Sequence, residues 1–211
     1  MALYSPLYKI HNKCLKHAID IVISLLVIIF ILPFFYLFIF IYNIIFDRGP
    51  VIYKQLRYGY KRIPFYIYKF RTMKYPPKEY DINGKLIQTD NSDERLTALG
   101  RFLRNRFLDE LPQFVNVLKG EMSIVGPRPH EINHDNEYSG SIENYRLRYS
   151  ALPGITGLAQ VNGLHGAVKR HGKMAERLEL DLYYIENWSL LLDIKIMIKT
   201  GRMMMGLGVR G

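Results

Sequence analysis

The stretch AIDIVISLLVIIFILPFFYLFIFIYNIIF, residues 18–46, decides how the rest of this chain is placed. Its only formal charge is Asp20, close to where the stretch begins. About twenty apolar residues are enough for a helix to cross a bilayer, and this run is longer than that. The composition therefore predicts that residues 18–46 insert into a membrane.

Two features bear on whether this segment crosses the membrane or re-enters on the same side. Pro33 lies near the middle, where it removes a backbone donor and clashes with the preceding turn. Basic flanks tend to stay cytoplasmic, and both flanks are basic, with Lys9, Lys13, Lys16, Arg48, Lys54, Arg57, Lys61 and Arg62. These residues leave two interpretations open, a re-entrant helix bent at Pro33 and a single crossing with a proline kink. We expect Lys16 to pair with Asp20 one turn later.

The whole chain has 211 residues and a formal net charge of +10. Without residues 1–46, about 165 residues remain, which is one ordinary domain with a core. The basic pI of 9.6 is explained by an anionic membrane surface and an anionic substrate, so we predict no nucleic-acid partner. Cys14 is the only cysteine, which excludes an internal disulfide and suits a reducing compartment.

The remaining pattern predicts a largely helical α/β domain with a small sheet. Short strands are predicted at 51–55, 65–70 and 122–125, helices at 99–111 and 176–185 and partly at 142–149, and a turn cluster at 153–157. The polar segment 75–93 is predicted to be a loop. The apolar stretch 188–205 is either an interfacial membrane helix or a core helix, and its residues alone do not decide between them.

The neighbouring acids Asp109 and Glu110 are the candidate catalytic pair. Counted at 100° per residue along a helix from Leu99, Glu110 falls in the middle of the apolar stripe and Asp109 at its edge. A carboxylate on a buried face needs a partner or a metal ion. Pro112 interrupts the ladder shortly afterwards and favours the start of a new short helix. The alternative is an acid pair in surface salt bridges with nearby arginines.

Basic side chains suited to phosphate occur in two other motifs. In Gly126-Pro127-Arg128-Pro129, two prolines fix the backbone of an arginine that can grip a phosphate with two parallel hydrogen bonds. Lys69 and Arg71 alternate on a predicted strand and are expected to face one side, towards an anionic ligand or an acidic loop. The sequence contains no zinc-ligand spacing and no phosphate-binding Gly-x-x-x-x-Gly-Lys loop.

Taken together, these motifs resemble the bacterial sugar transferase family, in its small monotopic form. The resemblance covers nearly the whole chain and rests on segments that occur in one order, namely Lys16-x-x-x-Asp20, Gln55-x-Arg57-x-Gly59, residues 69–73 (KFRTM), 95–97 (RLT), 108–113 (LDELPQ), 116–123 (NVLKGEMS), 125–129 (VGPRP), 153–161 (PGITGLAQV) and 181–184 (DLYY). Each segment is modest alone, and their order is specific.

The resemblance implies transfer of a sugar 1-phosphate from a UDP-sugar to undecaprenyl phosphate, with release of UMP. It implies that Asp109 is the nucleophile and a Mg²⁺ ligand, and that Glu110 assists at the metal or with protons. The resemblance also implies that the phosphates or the rest of the substrate are bound by the side chains of Lys69, Arg104, Arg128 and Asp181. It also implies a membrane segment that re-enters at Pro33, followed by a catalytic domain, 47–211, at the cytoplasmic face of the bacterial inner membrane. Relatives carry serine before that proline, whereas this chain has Leu32.

Three other functions compete with this interpretation. A soluble metal-dependent glycosyltransferase would carry an Asp-x-Asp motif, which the sequence lacks, and would release UDP. A non-catalytic membrane scaffold would release no UMP from any donor. A nucleic-acid binder is favoured only by net charge and leaves the apolar run unexplained. Neither the sugar nor the oligomeric state follows from the sequence.

Overall fold

The structure is a computed structural model and describes residues 3–76, 93–164 and 171–207. The helices in these ranges are α1 (Ile10–Phe30), α2 (Leu32–Phe46), α3 (Ala98–Asn105), α4 (Gln113–Leu118), α5 (Ile132–Ser141), α6 (Leu158–Val161), α7 (His171–Glu186) and α8 (Leu190–Met204). The strands are β1 (Ile52–Tyr58), β2 (Pro64–Phe70), β3 (Ser123–Val125) and β4 (Gly154–Thr156). The predicted class, mainly helical with a small sheet, is confirmed. Most of the predicted loop 75–93 lies outside the described residues.

The apolar N-terminal stretch forms two helices that meet at an angle. The break falls at Ile31, and α2 then begins at Leu32 with Pro33 in its first turn, where a missing backbone N–H costs nothing. The two helices are bent by 43° at this break, so they form an obtuse wedge and do not fold back as an antiparallel hairpin. Within the described part of the chain, neither helix alone has the length and apolarity to cross a bilayer, whereas the bent pair together passes that test.

Helix α1 is fixed to the rest of the protein by its polar face. Lys16 Nζ lies 2.7 Å from Asp193 Oδ2 on α8. The Asp20 carboxylate accepts hydrogen bonds from Ser123 Oγ at 2.7 Å and from the Ile124 N–H at 3.2 Å. The predicted Lys16–Asp20 pair is therefore wrong, because each side chain has a nearer partner across the interface. The domain division at residue 46 stays a prediction, although α1 packs closely against α4 and β3 on the other side of that division.

The strands form two separate two-stranded sheets. β1 and β2 pair as an antiparallel hairpin, with Gln55 opposite Ile67, and both confirm predicted strands. β3 and β4 pair in parallel, with Ser123 opposite Gly154. The expectation of a simple turn cluster at 153–157 is thus wrong, because residues 154–156 complete a sheet with β3 across a very close contact. A Cβ atom at Gly154 would lie 2.1 Å from the Gly126 nitrogen.

Helix α3 is shorter than the predicted helix 99–111. It ends at Asn105, and Phe107 adopts the left-handed conformation with φ of 56°. The acid pair lies beyond this break, in a 3-10 turn over Leu108–Glu110, and α4 starts after Pro112 as predicted. Phe102, which the apolar spacing of the predicted helix 99–111 places on its buried stripe, is 54% exposed. Counting positions along one continuous helix from Leu99 predicted that the acids are buried, which is correct. They are buried, however, in a separate turn after the helix has ended.

The C-terminal apolar stretch forms a helix with a core face, as the core-helix interpretation predicts, and its contact with a membrane stays a prediction. One face of α8 enters the main core with Ile196, and Trp188 just before the helix is buried and donates to Asp193 Oδ2 at 3.0 Å. The other face leaves large apolar side chains exposed, including Leu191, Ile194, Ile198 and, just after the helix, Met205. The helix is therefore amphipathic, with a core side and an unpartnered apolar side.

Candidate active site

The candidate site is built on the short turn that carries Asp109 and Glu110. Their relative exposures are only 6% and 5%, which is unusual for acids and requires compensation. The flanking Leu108 and Leu111 pack into a hydrophobic cluster with Ile39 of α2 and Phe70 at the end of β2. The turn is therefore held between α2 of the bent helix pair and the first sheet.

Glu110 is neutralised by two cations. Its Oε1 lies 2.7 Å from Lys69 Nζ and 2.6 Å from Arg128 Nη2, and Arg128 Nη1 donates to Oε2 at 3.2 Å. This is a two-pronged arginine–carboxylate pair, the strong form of this interaction. Burial alone would raise the pKa of Glu110, but Arg128 and Lys69 together hold it well below its usual range. Glu110 is therefore an anion at neutral pH.

Asp109 has a different environment although it is the next residue. Its nearest cation is Lys69, at 4.0 Å from Oδ2, and no hydrogen bond to its carboxylate is found within the described residues. Burial raises the pKa of Asp109; Lys69 opposes the rise and the Glu110 charge adds to it. Two adjacent carboxylates whose pKa values are pushed apart are typical of groups with different chemical roles. Asp109 is therefore a buried carboxylate whose burial is compensated less than that of Glu110.

Lys69 lies near the end of strand β2, and the buried side chain of Asn116 holds that strand in place. Asn116 on α4 accepts from the Tyr68 N–H at 3.1 Å and donates to the Tyr66 carbonyl at 2.7 Å, as a neighbouring strand would. Arg71, expected on the same side as Lys69, lies just past the strand. It pairs instead with Asp47 at 2.5 Å and with the Pro50 carbonyl at 2.7 Å, so of the two partners predicted for it, the acidic loop is the one observed.

Arg104 approaches the acids from α3. Its Nε donates to Thr72 Oγ1 at 3.0 Å, and no ion pair to its terminal nitrogens is found among the described residues. Burial lowers the pKa of Arg104, whereas the charges of Asp109, Asp93 and Glu110 favour its cationic form. The structure thus brings together five predicted site residues, Lys69, Arg104, Asp109, Glu110 and Arg128.

Asp181, the sixth predicted residue, does not join this group. It is 2% exposed on α7, and its Oδ2 lies 2.7 Å from Arg148 Nη2. Burial raises the pKa of Asp181, and Arg148 opposes the rise. No contact from Asp181 to Asp109 or Glu110 is found in the described structure.

Sequence reasoning missed several basic residues close to Arg128. Arg57 on β1 donates to the Pro129 carbonyl at 3.1 Å, and Arg148 and Arg177 approach the two ring nitrogens of His130 at 2.6 and 3.3 Å. Burial first, and then the charge of Arg128, lower the pKa of Arg57 to about 10. Arg57 stood in a quoted motif, Gln55-x-Arg57-x-Gly59, whereas Arg148 and Arg177 lie in helical segments where nothing local distinguishes them from surface arginines.

A magnesium ion fits this site through one carboxylate and not through a dedicated cage. Within the described residues, no group of three or more His, Cys, Asp or Glu side chains is placed to hold a metal. Mg²⁺ commonly binds one or two carboxylates together with substrate phosphates. Asp109 has the free oxygens for this, whereas both Glu110 oxygens are occupied by Arg128 and Lys69 and would have to release them.

The sequence model of the family described as "Bacterial sugar transferase" matches residues 11–206, which include every element that forms this site. The chain belongs to the bacterial sugar transferase family. The resemblance inferred from the motif order is therefore confirmed.

Curated relatives of this sugar transferase agree with that assignment. It is 44% identical over 196 residues to the UDP-glucose:undecaprenyl-phosphate glucose-1-phosphate transferase of Klebsiella pneumoniae, covering 93% of this chain and 41% of the relative. It is 45% identical over 190 residues to the protein of the same name from Escherichia coli strain K12, covering 90% and 40%. The exopolysaccharide production protein PSS of Rhizobium leguminosarum is 40% identical over 189 residues, covering 88% and 92%.

The sugar transferase thus spans about two fifths of the length of the Klebsiella and Escherichia relatives, at 41% and 40%. The Rhizobium relative is matched over almost its whole length. The matched portion contains the bent helix pair and the site around Asp109.

Proposed function

We propose that this sugar transferase moves a sugar 1-phosphate from a UDP-sugar to undecaprenyl phosphate, releasing UMP and forming undecaprenyl-diphosphate sugar. The observation that carries the proposal is the buried acid pair. Glu110 is bound by two cations, whereas Asp109 has only Lys69 at 4.0 Å and accepts no hydrogen bond within the described residues. The printed names of the Klebsiella and Escherichia relatives support the two substrates. UDP-glucose is therefore the first donor to test.

In the first step, an Asp109 oxygen attacks the sugar-side phosphorus of the donor. The bond from that phosphorus to the bridging oxygen breaks, and UMP leaves with the bridging oxygen. The sugar phosphate is then held as a mixed anhydride on Asp109. A covalent step of this kind divides one difficult transfer into two easier ones.

In the second step, a phosphate oxygen of undecaprenyl phosphate attacks the same phosphorus. The bond to Asp109 breaks, which restores the carboxylate and yields the lipid diphosphate sugar. Exchange in two steps lets a water-soluble donor and a membrane-bound acceptor use one site in turn. No water enters the balance, and the burial of the acid pair helps to exclude it.

The cations are assigned to the phosphates. Lys69 and Arg128 are already bound to Glu110. Arg104, fixed by the bond from its Nε to Thr72, is close enough for the charges of both acids to favour its cationic form. Such prearranged donors stabilise the charge that develops on phosphate oxygens during transfer. Because Glu110 is firmly ionised, we propose that it organises Lys69 and Arg128 and does not carry protons.

We propose Mg²⁺ as the cofactor, held by Asp109 together with donor phosphate oxygens, as the fit of the site indicates. A bound Mg²⁺ supplies charge neutralisation at the phosphates during transfer. Glu110 would become a metal ligand only if its bonds to Lys69 and Arg128 were broken.

We propose that the bent helix pair re-enters the membrane and does not cross it. If α1 and α2 are tilted equally into the membrane, the 43° bend corresponds to a tilt of about 21° for each helix from the membrane plane. Helix α2 is about 22 Å long, so its first residue then lies about 8 Å deeper than its last. That depth is within one leaflet, since half of the hydrocarbon core is about 15 Å. Leu32, the residue before Pro33, packs with the hydrophobic cluster behind the turn that carries Asp109.

The exposed apolar surfaces support a location at a membrane surface, and we propose that this surface is the cytoplasmic face of the bacterial inner membrane. Phe102 on α3 is exposed, and Arg106 at the end of α3 donates to the Met204 carbonyl at 3.0 Å, which brings α3 next to the exposed end of α8. Exposed apolar helix faces bordered by Lys and Arg suit an interfacial position. The phosphate of a membrane lipid would then be close to the height of the site.

The exopolysaccharide name of the Rhizobium relative supports a place at the first membrane step of a surface glycoconjugate pathway. A non-catalytic scaffold remains the alternative function, and it requires no free nucleophile.

The test is product analysis with purified protein in lipid. UDP-sugars are supplied one at a time with Mg²⁺ and undecaprenyl phosphate, and the released nucleotide is measured. We expect UMP with the wild type and at least about 1,000-fold less with Asp109→Asn, since the nucleophile is lost. Release of UDP would favour a glycosyltransferase, and absence of any nucleotide product across the donor panel would favour the scaffold.

A further inference from the structure

The loop that carries Arg128 is tied down by three successive carbonyls. The Pro127 carbonyl accepts from the Gly154 N–H at 2.9 Å, the Arg128 carbonyl accepts from Arg148 Nη2 at 2.7 Å, and the Pro129 carbonyl accepts from Arg57 Nη1 at 3.1 Å. Each donor belongs to a different part of the fold. The backbone of Arg128 is therefore held, while its guanidinium reaches Glu110.

Arg148 is the donor to the second of these three carbonyls, and it also binds Asp181 on α7. Its Nη2 lies 2.7 Å from Asp181 Oδ2 and 2.7 Å from the Arg128 carbonyl. Its Nη1 lies 2.6 Å from His130 Nδ1, on the residue that follows the loop. The planar fork of one buried arginine thus links α7 to both ends of the segment 128–130, which a lysine with a single nitrogen could not do.

Asp181 makes this placement of Arg148 possible. Arg148 and Asp181 each have 3% side-chain exposure, so neither charge is solvated. A buried cation without its anion would move towards water or draw water in, because an uncompensated buried charge is strongly unfavourable. Loss of the Asp181 charge would therefore release the Arg128 carbonyl.

We propose that Asp181 and Arg148 are positioning residues that aim Arg128 at the phosphate-binding side of Glu110, and that Asp181 does not itself contact the nucleotide-sugar. The proposal rests on the proposed function for its kinetic consequences, but its structural part does not. Two features carry it, namely the Asp181–Arg148–Arg128 chain of contacts and the absence, within the described residues, of any contact from Asp181 to the acid pair.

The first arm of the test needs no substrate. Arginine side-chain ¹⁵N NMR of the full chain in detergent reports whether a guanidinium is held or rotates freely, and Arg128→Lys assigns the Arg128 signals. We expect the held Arg128 signals of the wild type to become those of a freely rotating side chain in Asp181→Asn and Arg148→Lys. Arg71, bound to Asp47 and to the Pro50 carbonyl, is the internal reference and should not change.

A double variant separates positioning from simple loss of folding. Asp181→Leu combined with Arg148→Met removes both buried charges, which is tolerated far better than removal of one. We expect it to fold with a thermal midpoint near that of the wild type while Arg128 stays mobile. Tyr149→Phe is the matched control, because Tyr149 bonds Asp135 in the same buried network without touching the Arg128 loop.

The second arm measures both half-reactions. A misplaced phosphate-binding group is expected to slow UMP release and lipid transfer by a similar factor, of about 100-fold, since each step needs the same aligned phosphorus. Tyr149→Phe should retain wild-type kcat. A role for Asp181 in donor contact predicts instead a raised donor KM, an unaffected lipid step and held Arg128 signals, and this pattern would overturn the proposal. Unchanged Arg128 signals in the double variant would also overturn it, and a wild type without UMP release would contradict only the proposed function.

Discussion

At the scale of single residues, the site works by giving two neighbouring acids unlike surroundings. Glu110 receives a two-pronged bond from Arg128 and a bond from Lys69, and Asp109 receives neither at bonding distance. These bonds offset the unfavourable free energy of burying the Glu110 carboxylate. The burial of Asp109 is not offset to the same extent, and its pKa is raised as a result. The unbonded carboxylate is the one suited to attack phosphorus.

This asymmetry predicts the acid side of the pH–rate profile. Attack requires ionised Asp109, whose pKa is raised, so the rate should fall as pH drops through a value above that of an ordinary aspartate. Lys69 favours the ionised form, so Lys69→Met should move this limb to still higher pH as well as lowering the rate. The measurement is kcat/KM against pH for both proteins.

The interpretation would be contradicted if kcat/KM fell on the acid side with a pKa at or below that of an ordinary aspartate. It would also be contradicted if this pKa were the same in Lys69→Met as in the wild type. Arg71→Met is the comparison variant, because Arg71 carries the same charge two residues away but pairs with Asp47. Its acid limb should coincide with that of the wild type.

The sequence allowed most of these residues to be chosen, and the exceptions have physical causes. Asp109, Glu110 and Arg128 stand in motifs that are modest alone, and the order of all the motifs along the chain pointed to them. Asp181 was chosen from the resemblance, but its contact to Arg148 depends on how a 3-10 turn over Tyr145–Ser150 packs on α7, a long-range feature. The Lys16–Asp20 pair was wrong because a local rule on helices could not foresee Asp193 and Ser123 across the interface.

At the scale of elements, the end of β2 and the segment just after it connect the parts of the site. Lys69 reaches Glu110, Arg71 reaches Asp47 at the end of α2, and Thr72 receives both Arg104 and the N–H of Thr97, the residue that caps α3. The close approach of α3 to Thr72 depends on Gly100, where a Cβ atom would lie 1.9 Å from the Thr72 carbonyl oxygen.

Gly100→Ala should therefore be strongly disruptive. Backbone atoms cannot move aside cheaply, so we expect a loss of about 1–3 kcal/mol in stability and a large fall in activity as Arg104 and Lys69 separate. The control is Gly140→Ala on α5, where nothing lies within 4 Å of the added carbon. It should be neutral or stabilise by about 0.5 kcal/mol. Thermal unfolding of both variants checks this, and equal effects would contradict it.

Element boundaries were the least predictable part of the fold. Apolar spacing in 99–111 favoured one helix, but the chain breaks at Phe107 because the acids must turn back towards Lys69 and Arg128. Residues 154–156 contain turn-forming glycine and no strand pattern, yet they pair with β3, whose residues lie 31 positions earlier in the chain. In both places tertiary contacts override local preference.

At the scale of the whole molecule, the proposed membrane contact involves the bent helix pair and the exposed faces of α3 and α8. Asp20 on α1 bonds to β3, the strand that leads into the Arg128 loop, and Lys16 on α1 pairs with Asp193 on α8. The length and composition of residues 18–46 predicted insertion. The size of the bend did not follow from the presence of Pro33, because proline permits a range of angles.

Re-entry predicts that both ends of the helix pair lie on the cytoplasmic side. In a Cys14→Ser background, Tyr8→Cys and Arg48→Cys should both react with a membrane-impermeant maleimide in inverted vesicles and not in intact spheroplasts. Phe34→Cys, at the exposed apex of the bend, should be protected in both. Reaction of Tyr8→Cys and Arg48→Cys from opposite sides would show a single crossing.

The most direct test of the central claim is to trap the sugar phosphate on the protein. UDP-glucose labelled in its sugar-side phosphate is supplied with Mg²⁺ but without lipid acceptor, and the quenched protein is digested and analysed by mass spectrometry. We predict label on the peptide that contains Asp109, discharged by undecaprenyl phosphate and absent in Asp109→Asn. Full turnover with no label on the protein above that of Asp109→Asn would contradict a covalent intermediate at this residue.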